Sequence, residues 1–272
     1  MAKISALAQV DSRAVIGDDV EIGPFCVVGP DVKLGAGCRL MSHVVIVGHT
    51  TVGRENVFHP HCVVGDDPQD KKYRGGATRL EIGDRNQIRE AATIHTGTEL
   101  GGGLTRVGND NLIMINVHVG HDAHVGDHCI LSNNVALAGH VVVEDYANIL
   151  AMVGVHHFVT IGKLSFCAAM ARIQKDVPPF MKVDPSGREC HINKEGLRRA
   201  KFAEADIEAL DQVSRRLFSR QEPMSAVVKS LAGQNGLNRH VGYLLQFLER
   251  RDMGKHGRYL EAKRSPESLR RY

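Results

Sequence analysis

Over most of this chain every sixth residue is apolar. From Ile4 the steps land on Val10, Ile16, Ile22, Val28, Leu34, Leu40, Ile46, Val52, Phe58 and Val64. The series returns at Ile82, Ile88 and Ile94, then runs from Val107 through Ile113, Val119, Val125, Leu131, Leu137, Val143, Ile149, Val155, Ile161 and Cys167 to Ile173. Four residues after many of these stands a small or β-branched residue, among them Ala14, Val20, Cys26, Val32, Cys38, Val44, Cys62, Ala123, Cys129 and Val135. A period of six is neither the 3.6 of an α-helix nor the seven of a coiled coil. It is the hexapeptide signature of a parallel β-helix. One large and one small inward residue per six fill a narrow interior. The same slots account for Cys26, Cys38, Cys62, Cys129 and Cys167 as core residues rather than reactive thiols. No CxxC pair occurs, so neither a zinc ribbon nor a redox pair is signalled.

The pattern is interrupted twice, at Asp66–Arg79 (DDPQDKKYRGGATR) and at the glycine-rich Leu100–Leu104. It stops after Pro178-Pro179. The expected organisation is therefore a β-helix over 1–184, with loop insertions near 66–80 and 100–105, and a small helical domain over 185–272. Three apolar patches at helical spacing support the latter: Ile207, Leu210, Val213 and Leu217; Val227, Val228 and Leu231; Val241, Leu244, Leu245 and Leu248. The basic tail from Lys255 to Tyr272 is expected to fray.

Composition narrows the function. None of the 272 residues lies in an apolar run of membrane-spanning length, and Met1–Arg13 lacks the apolar centre of a signal peptide. A cytoplasmic protein with reduced thiols is expected. A net charge of +3 and the absence of tryptophan argue against nucleic acid as a partner.

The chemistry points to histidine. The run MINVHVGHDAHVGDHC supplies His118, His121, His124 and His128; His140, His156 and His157 follow. The hexads resemble those of the hexapeptide acyltransferases, and that resemblance implies a three-sided coil of eighteen residues, so His121 should lie under Gly139 and Asp122 under His140. A histidine base, a supporting carboxylate and a backbone N–H near a glycine are the parts of an acyl-transfer site. The competing reading is a metal held by His118, His121 and His140; it leaves Asp122 and the glycine without a purpose.

Several ordered motifs now resemble one family. NVHVGHD, LAGHV, VHHF, QKDVPPF and NKEGLRRAKF, with PQDKKY and TRLEIGDRNQIREAATIHTG, are similar to the UDP-N-acetylglucosamine O-acyltransferases of lipid A synthesis. The resemblance implies a left-handed parallel β-helix of hexapeptide repeats followed by a small all-α domain. It implies a homotrimer with sites between neighbouring β-helices, and no metal or cofactor. The partners would be an acyl carrier protein bearing a 3-hydroxyacyl thioester and a UDP-sugar. It makes His121 the general base, Asp122 its orienting group and the Gly139 N–H the oxyanion donor. Asp70, Lys72, His95, His118, His140, His156 and His157 would contact substrate. Asn193, Glu195 and Arg199 would hold the nucleotide, and Ala169, beside Met170, would set acyl-chain length. Basic residues Arg215, Arg216, Arg220 and Lys229 could recruit the acidic carrier protein.

The chain departs from the family pattern at Lys71, at Gly76 (usually glutamate), at His157 (usually glutamine), at Ala200 (usually a second arginine) and in VDPSGRE. Three readings follow: the lipid A enzyme itself, a relative with another UDP-sugar acceptor such as a 3-amino sugar, and a non-catalytic scaffold.

Overall fold

The computed structural model describes residues 1–219, 221–232 and 236–264. The hexads become short strands, most of two residues, that visit three sheets in turn. Until the last coil each strand therefore pairs in parallel with the strand three further along: Lys3 with Glu21, Gln9 with Val27, Val15 with Lys33. The constant offset of eighteen is the pitch of a left-handed parallel β-helix. Its interior is a ladder. Phe58, Ile88, Ile113, Leu131, Ile149 and Cys167 stack on one sheet, all fully buried.

The slot four residues on is narrower and partly polar. Cys26 and Cys62 sit there and direct their thiols to corner carbonyls, of Met41 at 2.7 Å and Arg89 at 2.9 Å. Burial pushes the Cys62, Cys129 and Cys167 thiols up to about 12, which removes the thiolate that reactivity needs. Between Cys38 and Cys129, on another corner, the small slots hold Asn56, Asn86 and Asn111, a ladder that apolar periodicity does not reveal. Asn86 donates from N and Nδ2 to Asn56 Oδ1, Asn111 N donates to Asn86 Oδ1, and Cys129 N to Asn111 Oδ1. Buried amides at these slots satisfy backbone N–H groups that an apolar residue would leave unpaired.

Corners are tight. The second corner residue adopts the left-handed region, as at Asp122 (φ 57°) and His140 (φ 63°).

Both interruptions leave from one edge, the one between the second and third sheets. Residues 67–78 connect strand Val63–Asp66 to Arg79–Ile82, and residues 96–103 connect Thr93–His95 to Leu104–Val107. Elsewhere the stack is kept. Val57 pairs with Gln87 and Gln87 with Leu112, offsets of 30 and 25 that return the chain to the same sheet. The next three corners on this edge are His121–Asp122, Gly139–His140 and His157–Phe158.

The last coil strand, Met181–Val183, turns back antiparallel to Glu189–Ile192. The turn is held by Asp184 Oδ1, which accepts from Ser186 N at 2.8 Å and Arg188 N at 3.1 Å. Five helices follow among the described residues: α1 (Lys194–Arg199), α2 (Glu204–Phe218), α3 (Met224–Ala232), α4 (Arg239–Asp252) and α5 (Tyr259–Ala262). Ile207, Leu210, Leu217, Val227, Val228, Leu231, Val241, Leu244, Leu245 and Leu248 form their core, which continues onto Leu164, Phe180 and Met181 of the coil. No helix among the described residues is long and apolar enough to cross a membrane.

The expectation that the chain frays from Lys255 does not hold for residues 255–264. Arg258 is buried and donates to Gln174 O at 2.7 Å. Tyr259 N donates to Asp176 Oδ2 at 2.8 Å, and Asp176 N to Gly257 O at 2.8 Å. These contacts dock α5 on the last coil. Residues 265–272 lie outside the described residues.

Candidate active site

Periodicity alone places His121 at a corner, where a side chain must point outward. Its ring turns toward Gly139 one coil on: a Cβ on Gly139 would stand 2.4 Å from Cε1 and 2.5 Å from Nε2. Only glycine admits the imidazole there. His121 Nδ1 lies 2.8 Å from Asp122 Oδ2.

Asp122 is nearly enclosed, its side chain 2% exposed against 16% for His121. Its carboxylate also accepts from Thr98 N at 3.0 and 3.1 Å and from Thr98 Oγ1 at 2.6 Å. Burial works to raise its pKa, but the hydrogen bonds from His121 and Thr98 outweigh it and hold the carboxyl below its ordinary value. An ionised Asp122 makes Nδ1 the protonated ring nitrogen and leaves the Nε2 lone pair, beside Gly139, open to accept a proton. The Gly139 N–H has no hydrogen-bond partner among the described residues, whereas the next N–H, of His140, donates to His121 O at 2.9 Å.

The second excursion supplies Thr98 and packs its glycines over Asp122. A Cβ on Gly101 would stand 2.1 Å from Asp122 Oδ2, and one on Gly97 2.8 Å from Oδ1. His121 and Gly139 line a hollow of about 330 Å³ together with Asp70, Lys72, Thr98, Leu100, His140, His157, Phe158 and Arg264. A second hollow of about 460 Å³ shares Leu100, His140, Phe158 and Arg264 and adds Asp122, His124 and Leu260.

The remaining histidines divide. His140 stacks on Phe158 with ring centroids 4.3 Å apart and planes 7° apart, a pair one pitch apart in sequence. Burial is the main cause that pushes His140 down to about 4. His157 is likewise pushed down to about 4 by burial and then by neighbouring His156. His118 is half-buried, with Nδ1 2.9 Å from Thr93 Oγ1, and burial also lowers its pKa. His156 Nδ1 donates to His157 O at 3.1 Å. His95 is 6% exposed and its Nδ1 donates to Asp67 O at 2.7 Å, anchoring the first excursion from inside. His128 sits on another edge, stacked on Tyr146.

The metal reading fares differently from its sequence form. His118 does not join His121 and His140 in any group of close ligand atoms among the described residues; Asp122 does. The lone pairs of Asp122 are already engaged by Thr98 and His121.

Residues expected at the nucleotide end are not beside His121 in this chain. Asn193 is buried as the cap of α1, accepting from Gly196 N at 3.1 Å and donating to Leu164 O at 3.0 Å. Glu195 and Arg199 pair at 2.9 Å on the exposed face of α1. Ala200 packs against the helical core. Ala169 and Met170 are exposed on the edge between the first and second sheets. Of the basic residues suggested for carrier recruitment, Arg215 and Arg216 pair with Asp211 and Glu222, Lys229 is exposed, and Arg220 lies outside the described residues.

The departure at Gly76 has a structural counterpart. Glu99, from the second excursion, fills the space that a side chain there would take; a Cβ on Gly76 would stand 2.4 Å from Glu99 Cγ. Glu99 Oε1 accepts from Gly76 N at 2.7 Å and Arg74 N at 3.1 Å. Its small burial opposes the charge, yet the backbone N–H groups of Glu99, Gly76 and Arg74 hold the carboxyl below its ordinary value.

Two family descriptions match the sequence. The second domain of Udp N-acetylglucosamine O-acyltransferase matches residues 176–257, and the bacterial transferase hexapeptide (six repeats) matches 13–48 and 104–139. The chain is 42% identical over 249 residues to an acyl-[acyl-carrier-protein]–UDP-N-acetylglucosamine O-acyltransferase of Stenotrophomonas maltophilia, covering 91% of this chain and 95% of that protein. A protein of the same description from Xylella fastidiosa is 42% identical over 248 residues, covering 90% and 94%. Among solved structures, a Francisella novicida UDP-N-acetylglucosamine acyltransferase superposes with a TM-score of 0.87 at 38% identity, over 90% of this chain and 91% of the other. An Arabidopsis UDP-N-acetylglucosamine acyltransferase gives 0.81 at 33% identity, over 94% and 98%.

Proposed function

The chain belongs to the UDP-N-acetylglucosamine O-acyltransferase family, and from that premise we propose that it moves a 3-hydroxyacyl group from acyl carrier protein to the 3-hydroxyl of UDP-N-acetylglucosamine, the first step of lipid A synthesis. The observation that carries the reading is the pairing of a carboxylate-held His121 with Gly139 in a cleft that also holds Asp70 and Lys72.

In this mechanism His121 Nε2 takes the proton of the sugar hydroxyl as its oxygen attacks the thioester carbonyl. Asp122 supports the imidazolium that results. The tetrahedral oxyanion sits at the Gly139 N–H. Collapse breaks the carbon–sulfur bond, and the carrier's thiolate takes the proton back from His121. Asp70, Lys72, His95, His118, His140, His156 and His157 contact the substrates and orient the acceptor.

The reading extends to a homotrimer. Asn193, Glu195, Arg199, Ala169 and Met170 act in it only if a neighbouring copy brings them to this edge. Met152 and Met170, 61% and 71% exposed on the edge between the first and second sheets, are apolar surface that a second copy would cover. Ala169→Gly should then widen the groove and favour a longer donor. A cytoplasmic setting goes with the reading, since the six cysteines are free thiols as a reducing compartment keeps them.

The test is turnover of acyl carrier protein thioesters with a panel of UDP-sugars, including a 3-amino sugar. Wild-type turnover of UDP-N-acetylglucosamine, lost in His121→Ala, is the expected result. Preference for the amino sugar would reassign the acceptor, and turnover of none would leave only the scaffold reading.

A further inference from the structure

The most conspicuous group in the cleft that the mechanism does not use is a guanidinium from the C-terminal segment. Arg264 lines both hollows, the one with His121 and Gly139 and the one with Asp122 and Leu260. It reaches there because the segment before it is fixed. Arg258 is buried against Gln174 O and pairs with Glu261, and Tyr259 N is held by Asp176. From this anchorage α5 turns Leu260 and Lys263 toward the hollow with Val142 and Phe158. The guanidinium carbon of Arg264 lies 5.3 Å from the centroid of the Phe158 ring, which also meets the His140 and His157 imidazoles. Its charge also contributes to keeping His140 and His157 neutral.

Three facts give this placement a purpose. The cleft must admit substrates that carry phosphate groups, if the proposed acyl transfer is right. The family match to the C-terminal part ends at residue 257, so Arg264 lies outside it. Lys72 is the other cation of the His121 hollow, so a phosphate lodged there would meet positive charge from two elements of the fold, the first excursion and the C-terminal segment.

We propose that Arg264 is a phosphate-binding residue of the cleft, presented by the docked α5 segment. It would bind a phosphate of the bound substrate, either the diphosphate of the sugar nucleotide or the phosphate of the carrier's prosthetic arm. The inference rests on the acyl-transfer reading for the identity of the phosphates, and its test begins with a wild-type enzyme shown to turn over.

Steady-state kinetics of Arg264→Ala and Arg264→Lys, with donor and acceptor varied separately, read it out. A charged hydrogen bond of this kind is worth roughly tenfold or more in affinity. The expected result is a KM raised about tenfold for one phosphate-bearing substrate, with a smaller change in kcat and partial recovery in the lysine variant. A rise confined to the acceptor, matched by weaker inhibition by UDP but unchanged inhibition by uridine, assigns the diphosphate. A rise confined to the carrier thioester assigns the prosthetic arm. If neither KM moves more than about twofold and UDP inhibition is unchanged, the proposal is overturned. Failure of the wild type to turn over any UDP-sugar would instead strike the acyl-transfer reading.

Discussion

The imidazole of His121 rests against the α-carbon of Gly139, one pitch along the same edge, with room for a hydrogen but not a methyl group. A Cβ at that position would stand 2.4 Å from Cε1 of the ring. Gly139→Ala should therefore turn His121 away while leaving the coil folded. A displacement near 1 Å costs on the order of a hundredfold in rate. The expected outcome is that loss in kcat with an unchanged thermal midpoint; equal loss of fold and activity would place the effect in the coil instead.

Asp122 fixes the ring from the other side. Asp122→Asn keeps the shape but puts an amide where a carboxylate accepts from Nδ1, so it opposes the tautomer with Nε2 free. A drop in kcat of about 10² to 10⁴ is expected, within the range of general-base catalysis. A variant with near wild-type turnover would remove Asp122 from the mechanism.

Glu99 ties the two excursions together through Gly76 N and Arg74 N. Glu99→Ala leaves two backbone donors without that acceptor and loosens the segment that carries Asp70 and Lys72. We expect faster protease nicking within 67–78 and a higher KM for the acceptor, with melting of the whole β-helix little changed. Gly76→Glu combined with Glu99→Ala tests the exchange directly by restoring a carboxylate from the other loop. Unaltered nicking and KM in Glu99→Ala would show that the latch has no effect on the site.

His140 and His157 are both pushed down to about 4, mainly by burial. In the unfolded chain they titrate near 6.5. Between these values the unfolded state binds more protons than the native state, so native stability must fall as pH drops from about 6.5 toward 4. The advantage is fully present above 6.5. Imidazole proton shifts in an NMR titration should show both rings neutral at pH 6, and His140→Gln should flatten the acid limb of the stability curve. A His140 resonance titrating near 6.5 would contradict this.

Most of the frame was legible because it is periodic. A repeat of six gave the coil, and the three-sidedness implied by its resemblance to hexapeptide acyltransferases gave the juxtaposition of His121 with Gly139. The same arithmetic, carried one step further, finds Phe158 over His140. What escaped was aperiodic. Thr98 reaches Asp122 through an excursion that breaks the count, and the contact of Glu99 with Gly76 joins two excursions whose paths no period describes. Asn56, Asn86 and Asn111 occupy inward slots that an apolar pattern passes over, because their reward is hydrogen bonding rather than burial. The anchoring of the first excursion by His95 escaped too, because the Asp67 carbonyl it meets is 28 residues away along an irregular path. The docking of α5 depends on Asp176 and Arg258, neighbours only once the last coil is built.

The exit of both excursions at one edge has a wider consequence. Two sides of the prism and their hydrogen-bond registers continue past the insertions as if nothing had been added. The frame and the chemistry are thus separately editable: segments spliced in at that edge can change in length or content without altering the pitch beneath. Such an architecture lets selection, or a protein engineer, exchange the loops like tools on a common handle, with His121 and Gly139 left in place.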